Sequence, residues 1–369
     1  MNVIIPMTGY GSRFVAAGYR DLKPFIQVMG KPVIEWIVER MYPGDVHFIF
    51  VCRGEHLKEN PAMRQRLLGI APGAVIVSIE DWVKKGPVFD VLRAYRAMCQ
   101  VKDTNADGRT DNKECLESAY GGIIDVDGVR LCDDDAEKIA GIDMEEGFII
   151  NYCDFYMRWD YVSFAKEAKK RGCDGAVPCY TGFHPNLLPE KNYYASCLTD
   201  EEDNLIEIRE KYSFEKDKTK AKHSPGVYYF KSGGMMEKYC QTLVEHEECA
   251  INGEYYASLP YNFMVRDGLK VWVPADVEYF CQWGTPEDME EFVYWTDLIT
   301  KAGRKEHCSG KEDEKSAGQS ARGMAQGDVC PGRILIPMAG AGQRFADAGY
   351  QVNKPAIMTI DRKTGKEKP

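Results

Sequence analysis

One 26-residue passage is written twice in this chain. Residues 3–28, VIIPMTGYGSRFVAAGYRDLKPFIQV, and residues 334–359, ILIPMAGAGQRFADAGYQVNKPAIMT, align without a gap at an offset of 331 and agree at 13 of 26 positions. The agreements include Pro6/Pro337, Gly9/Gly340, Gly11/Gly342, Arg13/Arg344, Gly18/Gly349, Tyr19/Tyr350, Lys23/Lys354 and Pro24/Pro355. Chance likeness between two strands would match apolar residues, not glycines, cations and prolines in step, so the passage marks the start of a repeated unit. It also restricts the fold. A short apolar run ending in glycines reads as a buried strand feeding a tight loop. After the first copy, segments alternate: 33–41 has helical spacing, 46–52 and 74–79 read as strands, 88–98 as a helix and 148–152 as a strand. That alternation predicts an α/β fold with a mostly parallel sheet. Stretches rich in Tyr, Phe and Val at 226–230, 269–273 and 278–281 predict further strands on it.

The second copy is followed by ten residues. The expected organisation is therefore one whole module over 1–300 and the opening of a second over 333–369. Between them, residues 301–332 carry charge, Gly and Ser without an apolar period and read as a flexible linker. The last element of the module reads as a helix: Thr285 suits its N-cap, Pro286 its first position and Asp288 its third.

Composition narrows the partners. With 47 Lys plus Arg against 57 Asp plus Glu, the chain carries −10. That argues against a general nucleic-acid binder or a binder of anionic membranes, but not against a small anion held by a few local cations. The 13 cysteines are scattered and form no Cys-x-x-Cys pair, which reads as buried thiols in a reducing compartment. No apolar run reaches the ~18 residues of a membrane span, and the amino terminus lacks a signal-peptide pattern. A cytoplasmic protein is the expectation.

Gly9-Tyr10-Gly11-Ser12-Arg13-Phe14 directly follows the first strand. Glycines there allow a close backbone approach to an anion, and successive N–H groups make an anion-binding concavity. Arg13 adds a planar cation suited to phosphate. Phe14 stands where a dinucleotide fingerprint needs glycine, and no Gly-Lys-Ser/Thr follows, so the loop is neither of those motifs. Lys23-Pro24 adds a second cation ten residues after Arg13. Together these residues read as a triphosphate cradle.

The passage IPMTGYGSRF…KPFIQVMGKPVIEW resembles the signature of nucleotidyltransferases that make nucleotide sugars from a sugar 1-phosphate and an NTP, most of all the branch found in bacterial polysaccharide gene clusters. The resemblance covers roughly residues 2–295. It implies a Rossmann-like, mostly parallel sheet of the nucleotide-diphospho-sugar transferase type. It further implies that Gly9, Tyr10, Gly11 and Ser12 hold the nucleotide, and that Gly86 and Pro87 form the turn beside base and ribose. It implies catalytic roles for Arg13, Lys23 and Asp154, with Asp154 at a strand end binding Mg2+ and Asp160 a weaker companion. Glu210, Lys211 and Gly226 are implied to hold the acceptor. His184 reads as a structural loop residue rather than a catalyst.

The sequence departs from that pattern twice. Many sugar members carry an Asp two residues before the Gly of the closing Gly-Thr-Pro motif, as a second metal ligand. Here that position is Gln282, and Glu278 is the nearest carboxylate. The second departure is an insertion at 101–146. Within it Asp103, Asn105, Asp107, Asp111 and Glu114, with Gly108, match the ligand positions of a calcium loop. Position 8 is Thr110 where an apolar residue is usual, and Asp125-Val-Asp127-Gly128 is only a fragment of a second loop. An acidic surface turn and a Ca2+ site stand level.

The expected activity is metal-dependent transfer of a nucleotidyl group from an NTP to a small phosphate-bearing acceptor, in a protein that can form homo-oligomers. Two alternatives stand beside the sugar reading: a cytidylyltransferase acting on a non-sugar phosphate or phosphonate, and a sensor that binds nucleotide sugar without turnover.

Overall fold

In the computed structural model, residues 1–107, 123–187 and 191–307 and the strand pair 359–360 and 367–368 are described. The chain divides into two compact units, Met1–Lys301 and Ala302–Pro369.

The first unit opens with β1 (Asn2–Met7), a short helix α1 (Ser12–Ala16), a 3-10 turn at Lys23–Phe25, and the small hairpin β2 (Gln27–Val28) and β3 (Lys31–Pro32). Then come α2 (Val33–Trp36), β4 (His47–Arg53), α3 (Gly54–Glu59), α4 (Ala62–Ile70), β5 (Val75–Ile79) and the long α5 (Pro87–Asp107). The inserted region supplies β6 (Ile123–Val126), β7 (Val129–Cys132) and α6 (Asp133–Gly141). After it follow β8 (Phe148–Asn151), β9 (Phe155–Arg158), α7 (Tyr161–Arg171), β10 (Gly175–Ala176), β11 (Ser196–Thr199), β12 (Leu205–Arg209), β13 (Lys222–His223) and β14 (Val227–Phe230). The unit closes with α8 (Gly233–Val244), α9 (Pro260–Arg266), β15 (Val271–Trp272), β16 (Tyr279–Gln282) and α10 (Pro286–His307) as far as Lys301.

The central sheet has the order β15-β10-β14-β8-β1-β4-β5-β7-β6. Strands β8, β1, β4 and β5 run parallel, as the alternation predicts, while β14, β7 and β6 join antiparallel. All six residues of β1 are buried. Val3, Ile5 and Met7 enter one apolar cluster with α2, α4 and α7, and Ile4 enters the other with α5, α8 and α9. Burial on both faces is why these strands read as continuous apolar runs rather than alternating ones.

From β1 the chain steps outward to β4 and β5, then returns to place β8 on the other side of β1. Strand order therefore reverses between β1 and β8, and the crevice outside their carboxyl ends is where open α/β sheets bind ligands.

Four features differ from the sequence reading. Asp127 (φ 51°) and Gly128 (φ 72°) both have positive φ, so Asp-Gly is the turn of the β6–β7 hairpin rather than a piece of a calcium loop. β16 leaves the central sheet and pairs with β9. α10 continues to His307, into the stretch read as linker, because Lys, Arg, Glu and Ala are good helix formers. The backbone stays helical through Asp107, so Asp103, Asn105 and Asp107 lie in α5, whereas Asp111 and Glu114 fall outside the described residues. Most of the second copy also lies outside them; Thr359–Ile360 pairs antiparallel with Glu367–Lys368.

Candidate active site

β1 ends at Met7 and runs into Thr8-Gly9-Tyr10-Gly11. Gly11 has φ 61° and ψ 30°, the left-handed conformation, and starts α1. A Cβ there would stand 3.5 Å from Lys23 Cβ, so the loop and the Lys23 turn are packed together. At Gly9 a Cβ would meet nothing within 4 Å, which leaves open space over the loop.

Lys23 is held in its 3-10 turn by the buried Pro24 and Phe25. Its Nζ donates to Asp154 Oδ2 at 3.1 Å. Asp154 follows β8, directly across the crevice from the loop, and its carbonyl accepts from the Trp283 N–H at 2.8 Å. Two residues 131 positions apart thus form one half-buried ion pair at the switch point. Arg13 does not join them: it is exposed on α1 and has no ion-pair partner among the described residues. It stands near the start of α10, where burial raises the Asp288 pKa while the Thr285 hydroxyl and, more weakly, the Arg13 charge lower it. Thr285 and Asp288 exchange the hydrogen bonds of a helix cap there.

The β9–β16 pair decides which side chain stands beside Asp154. Gln282 lies opposite Phe155, and Tyr279 opposite Arg158. A Cβ on Gly284 would collide with Gln282 Nε2 and stand 3.5 Å from Asp154 Oδ2, so the amide and the carboxylate flank one glycine. Glu278 is at the far end of that pair, ion-paired to Arg158 at 2.8 Å in solvent. The structure does not bring Glu278 to Asp154, because four strand residues span about 13 Å. Among the described residues no group of three or more His, Cys, Asp or Glu is placed to hold a metal. Magnesium often binds through one or two carboxylates plus substrate phosphates. The Asp154 carboxylate fits that mode as the one protein ligand of a single ion; the Gln282 atom facing the shared glycine is Nε2, a donor rather than a ligand. Asp160 is engaged elsewhere, capping α7 by accepting from Ser163 N at 2.9 Å. His184 packs edge-on against Tyr180, and burial lowers its pKa.

On the β4–β5 side, a network that sequence reasoning missed holds the loop from beneath. Arg53, at the end of β4, donates through Nε and Nη2 to the Thr8 carbonyl at 2.9 and 2.6 Å. Thr8 Oγ1 donates to Asp90 Oδ2 at 2.5 Å, and Trp82 Nε1 donates to the same oxygen at 3.0 Å. Asp90 is 2% exposed in the first turn of α5. Burial pushes its pKa up to about 6 against the lowering effect of both hydrogen bonds. The signal available in the sequence was a charge closing the apolar run VHFIFVCR, at the ligand end of a parallel strand. Gly86 (φ 89°) packs against the 254–255 turn, where a Cβ would stand 2.6 Å from Tyr255 N. Pro87 is the first residue of α5.

On the β14 side, Ser258 Oγ donates to Glu210 Oε1 at 2.5 Å, and burial raises the Glu210 pKa. Lys211 (φ 54°) donates to the Tyr256 hydroxyl at 3.2 Å. A Cβ at Gly226 would stand 3.0 Å from Phe155 and 3.2 Å from Tyr152. Burial raises the Tyr152 pKa, and the nearby charges of Glu210 and Asp154 add to it. The Tyr152 hydroxyl accepts from Ala257 N at 2.9 Å.

The site thus has three parts along the carboxyl ends of the central strands. A glycine loop on a buried Arg–Asp network lies over β1, β4 and β5. The Lys23–Asp154 pair stands at the switch point, and a carboxylate–lysine–tyrosine cluster lies beyond β14. No family model matches the sequence, and no curated relative does. Solved structures are similar in fold. A nucleoside-diphosphate-sugar pyrophosphorylase from Vibrio cholerae RC9 matches with TM-score 0.55 at 16% identity, over 79% of this chain and 99% of that one. A UDP-glucose pyrophosphorylase complexed with UDP-glucose matches with TM-score 0.51 at 13% identity, over 81% and 98%. An apo UDP-glucose pyrophosphorylase matches with TM-score 0.52 at 14% identity, over 82% and 98%. At such identities the likeness establishes the fold alone.

Proposed function

We propose that this chain is a nucleotidyltransferase that joins an NTP to a sugar 1-phosphate, releases pyrophosphate and makes a nucleotide sugar for polysaccharide biosynthesis. The observation that carries the reading is the Lys23–Asp154 pair, 3.1 Å apart at the switch point beside the glycine loop. The fold shared with sugar pyrophosphorylases supports it.

In the reaction an acceptor phosphate oxygen attacks the α-phosphorus of the NTP in line. The new P–O bond forms as the bond to the β-phosphate breaks, and pyrophosphate leaves with that electron pair. No side chain need bond to phosphorus; positioning and charge neutralisation carry the step. Gly9 and Gly11 let the backbone approach the triphosphate, and Lys23 exchanges part of its pairing with Asp154 for phosphate oxygens. Arg13, unpaired and exposed, is free to meet the leaving pyrophosphate. Asp154 is the group that would hold Mg2+, which would supply neutralisation of phosphate charge. Glu210 and Lys211 hold the acceptor from the β14 side.

Gln282 favours a second reading, a cytidylyltransferase for a non-sugar phosphate or phosphonate, since an amide in place of a carboxylate departs from the sugar pattern. The four NTPs screened with Mg2+ against sugar 1-phosphates and phosphocholine-like acceptors, scored by pyrophosphate release, separate the two. Nucleotide-sugar binding without pyrophosphate from any pair would overturn both and leave the sensor reading.

A further inference from the structure

We propose that Arg53 reads a carbonyl on the base of the bound nucleotide, making it a specificity residue of the nucleotidyltransferase site on which this inference rests. Arg53 is 1% exposed. Nε and Nη2 are spent on the Thr8 carbonyl, but Nη1 is buried without a hydrogen-bond acceptor. Its closest charged neighbour, Glu55 Oε2, is 3.7 Å away, beyond hydrogen-bond reach. A buried guanidinium N–H without a partner is costly, and native sites that retain one commonly complete it with water, an ion or a ligand.

The surroundings say which ligand. The guanidinium carbon lies 3.3 Å from the centroid of the Tyr10 ring and 3.5 Å from that of Trp82. Tyr10 sits between Gly9 and Gly11 and is 55% exposed, so the cover over Arg53 rides on the loop that approaches the triphosphate. Trp82 is tied to Asp90 behind it by its indole N–H. Arg53 lies on the β4–β5 side of the loop, opposite the side of Asp154 and Glu210; with the acceptor held by Glu210 and Lys211, as in the proposed function, this side is left for the nucleoside. Flat aromatic surfaces around a fixed N–H donor suit a planar ring bearing an acceptor atom. Once the Tyr10 ring turns aside, the base stacks in this corner and its carbonyl takes the Nη1 hydrogen. Cytosine, uracil, thymine and guanine present such a carbonyl; adenine does not.

The test is equilibrium binding of CTP, UTP, GTP, ATP and inorganic tripolyphosphate, each with Mg2+, to the full chain and to Arg53→Gln and Arg53→Lys. The parent should hold at least one carbonyl-bearing NTP more tightly than ATP. Arg53→Gln should weaken that NTP on the order of 10- to 100-fold beyond any loss it causes for tripolyphosphate, the range of a charge-assisted hydrogen bond, and close the gap to ATP. Arg53→Lys, which keeps the charge without the fork, should lose most of the same discrimination. An equal loss for NTP and tripolyphosphate would mean that Arg53 only props the loop, and an unaltered NTP preference would overturn the proposal outright. If neither variant folds, fluorescence of the parent decides. The preferred NTP, but not tripolyphosphate, must change an emission component that Trp82→Phe removes, and its absence refutes the placement. A parent that binds no NTP defeats the nucleotidyltransferase reading itself; one that binds all four alike defeats only the role of Arg53.

Discussion

Asp90 is a buried carboxylate whose charge costs stability, and the cost depends on pH. Its folded pKa is about 6, raised by burial from an ordinary 3.8. The folded state therefore binds the extra proton between those values, so this group destabilises the fold above pH ~6 and the penalty fades as pH falls toward ~4. A shift of about two units corresponds to about 3 kcal/mol at pH 8. Working the linkage through at pH 5, about half of that is already recovered. Asp90→Asn keeps an oxygen for Thr8 and Trp82 but removes the charge. It also leaves a buried amide N–H where Asp90 Oδ1 has no partner, at a cost of about 1–3 kcal/mol. That cost does not titrate. The stability gap between variant and parent should therefore favour the variant more at pH 8 than at pH 5, by about 1–2 kcal/mol. Urea denaturation of both proteins at the two pH values measures it, and histidines that titrate in this range cancel in the difference. A gap that stays constant from pH 5 to pH 8 would refute the reasoning and mean that Asp90 is charged in the fold across that range.

Arg13→Ala should lower the rate of pyrophosphate release by on the order of 100-fold, with melting temperature close to the parent's, if its exposed guanidinium meets transition-state charge; near-normal turnover removes it from the mechanism. Gly86→Ala puts a Cβ 2.6 Å from Tyr255 N at φ 89° and should destabilise by about 1–3 kcal/mol in a chemical denaturation curve. A parent-like midpoint would show that the 254–255 turn yields at no cost. Titrating Ca2+ into protein already holding Mg2+ should raise the melting temperature if 103–114 is a calcium loop, and Glu114→Ala should abolish the rise. An equal rise in that variant, or none in the parent, leaves the acidic-turn reading.

Local patterns carried much of the architecture. The apolar runs of β1, β4, β5 and β8 announced strands buried on both faces, because a strand between two layers has no polar side to show. The glycine loop was legible because its residue types are demanded by backbone geometry that the chain meets within a few positions. The Asp-Gly hairpin is equally local, yet its sequence is ambiguous, because acidic residues with a glycine also satisfy a metal-loop template.

What the sequence alone determined, then, was the α/β class and the residue types around the crevice: glycines, Arg13, Lys23, Asp154, Glu210 and Lys211. Only the tertiary structure decided which of them meet. Lys23 reaches Asp154 because β8 returns to the far side of β1, an arrangement set by long-range strand order. Glu278 is lost to the site because the register of β9 against β16 puts Gln282, not a carboxylate, beside Asp154. Arg53 gains its place because the loop after β1 and the Trp82 ring close over the end of β4 and bury a charge that, in one dimension, looks like the polar end of a strand. Periodicity fixes which face a residue occupies within its own element; burial of a charge and the partner it finds are properties of elements brought together from distant parts of the chain.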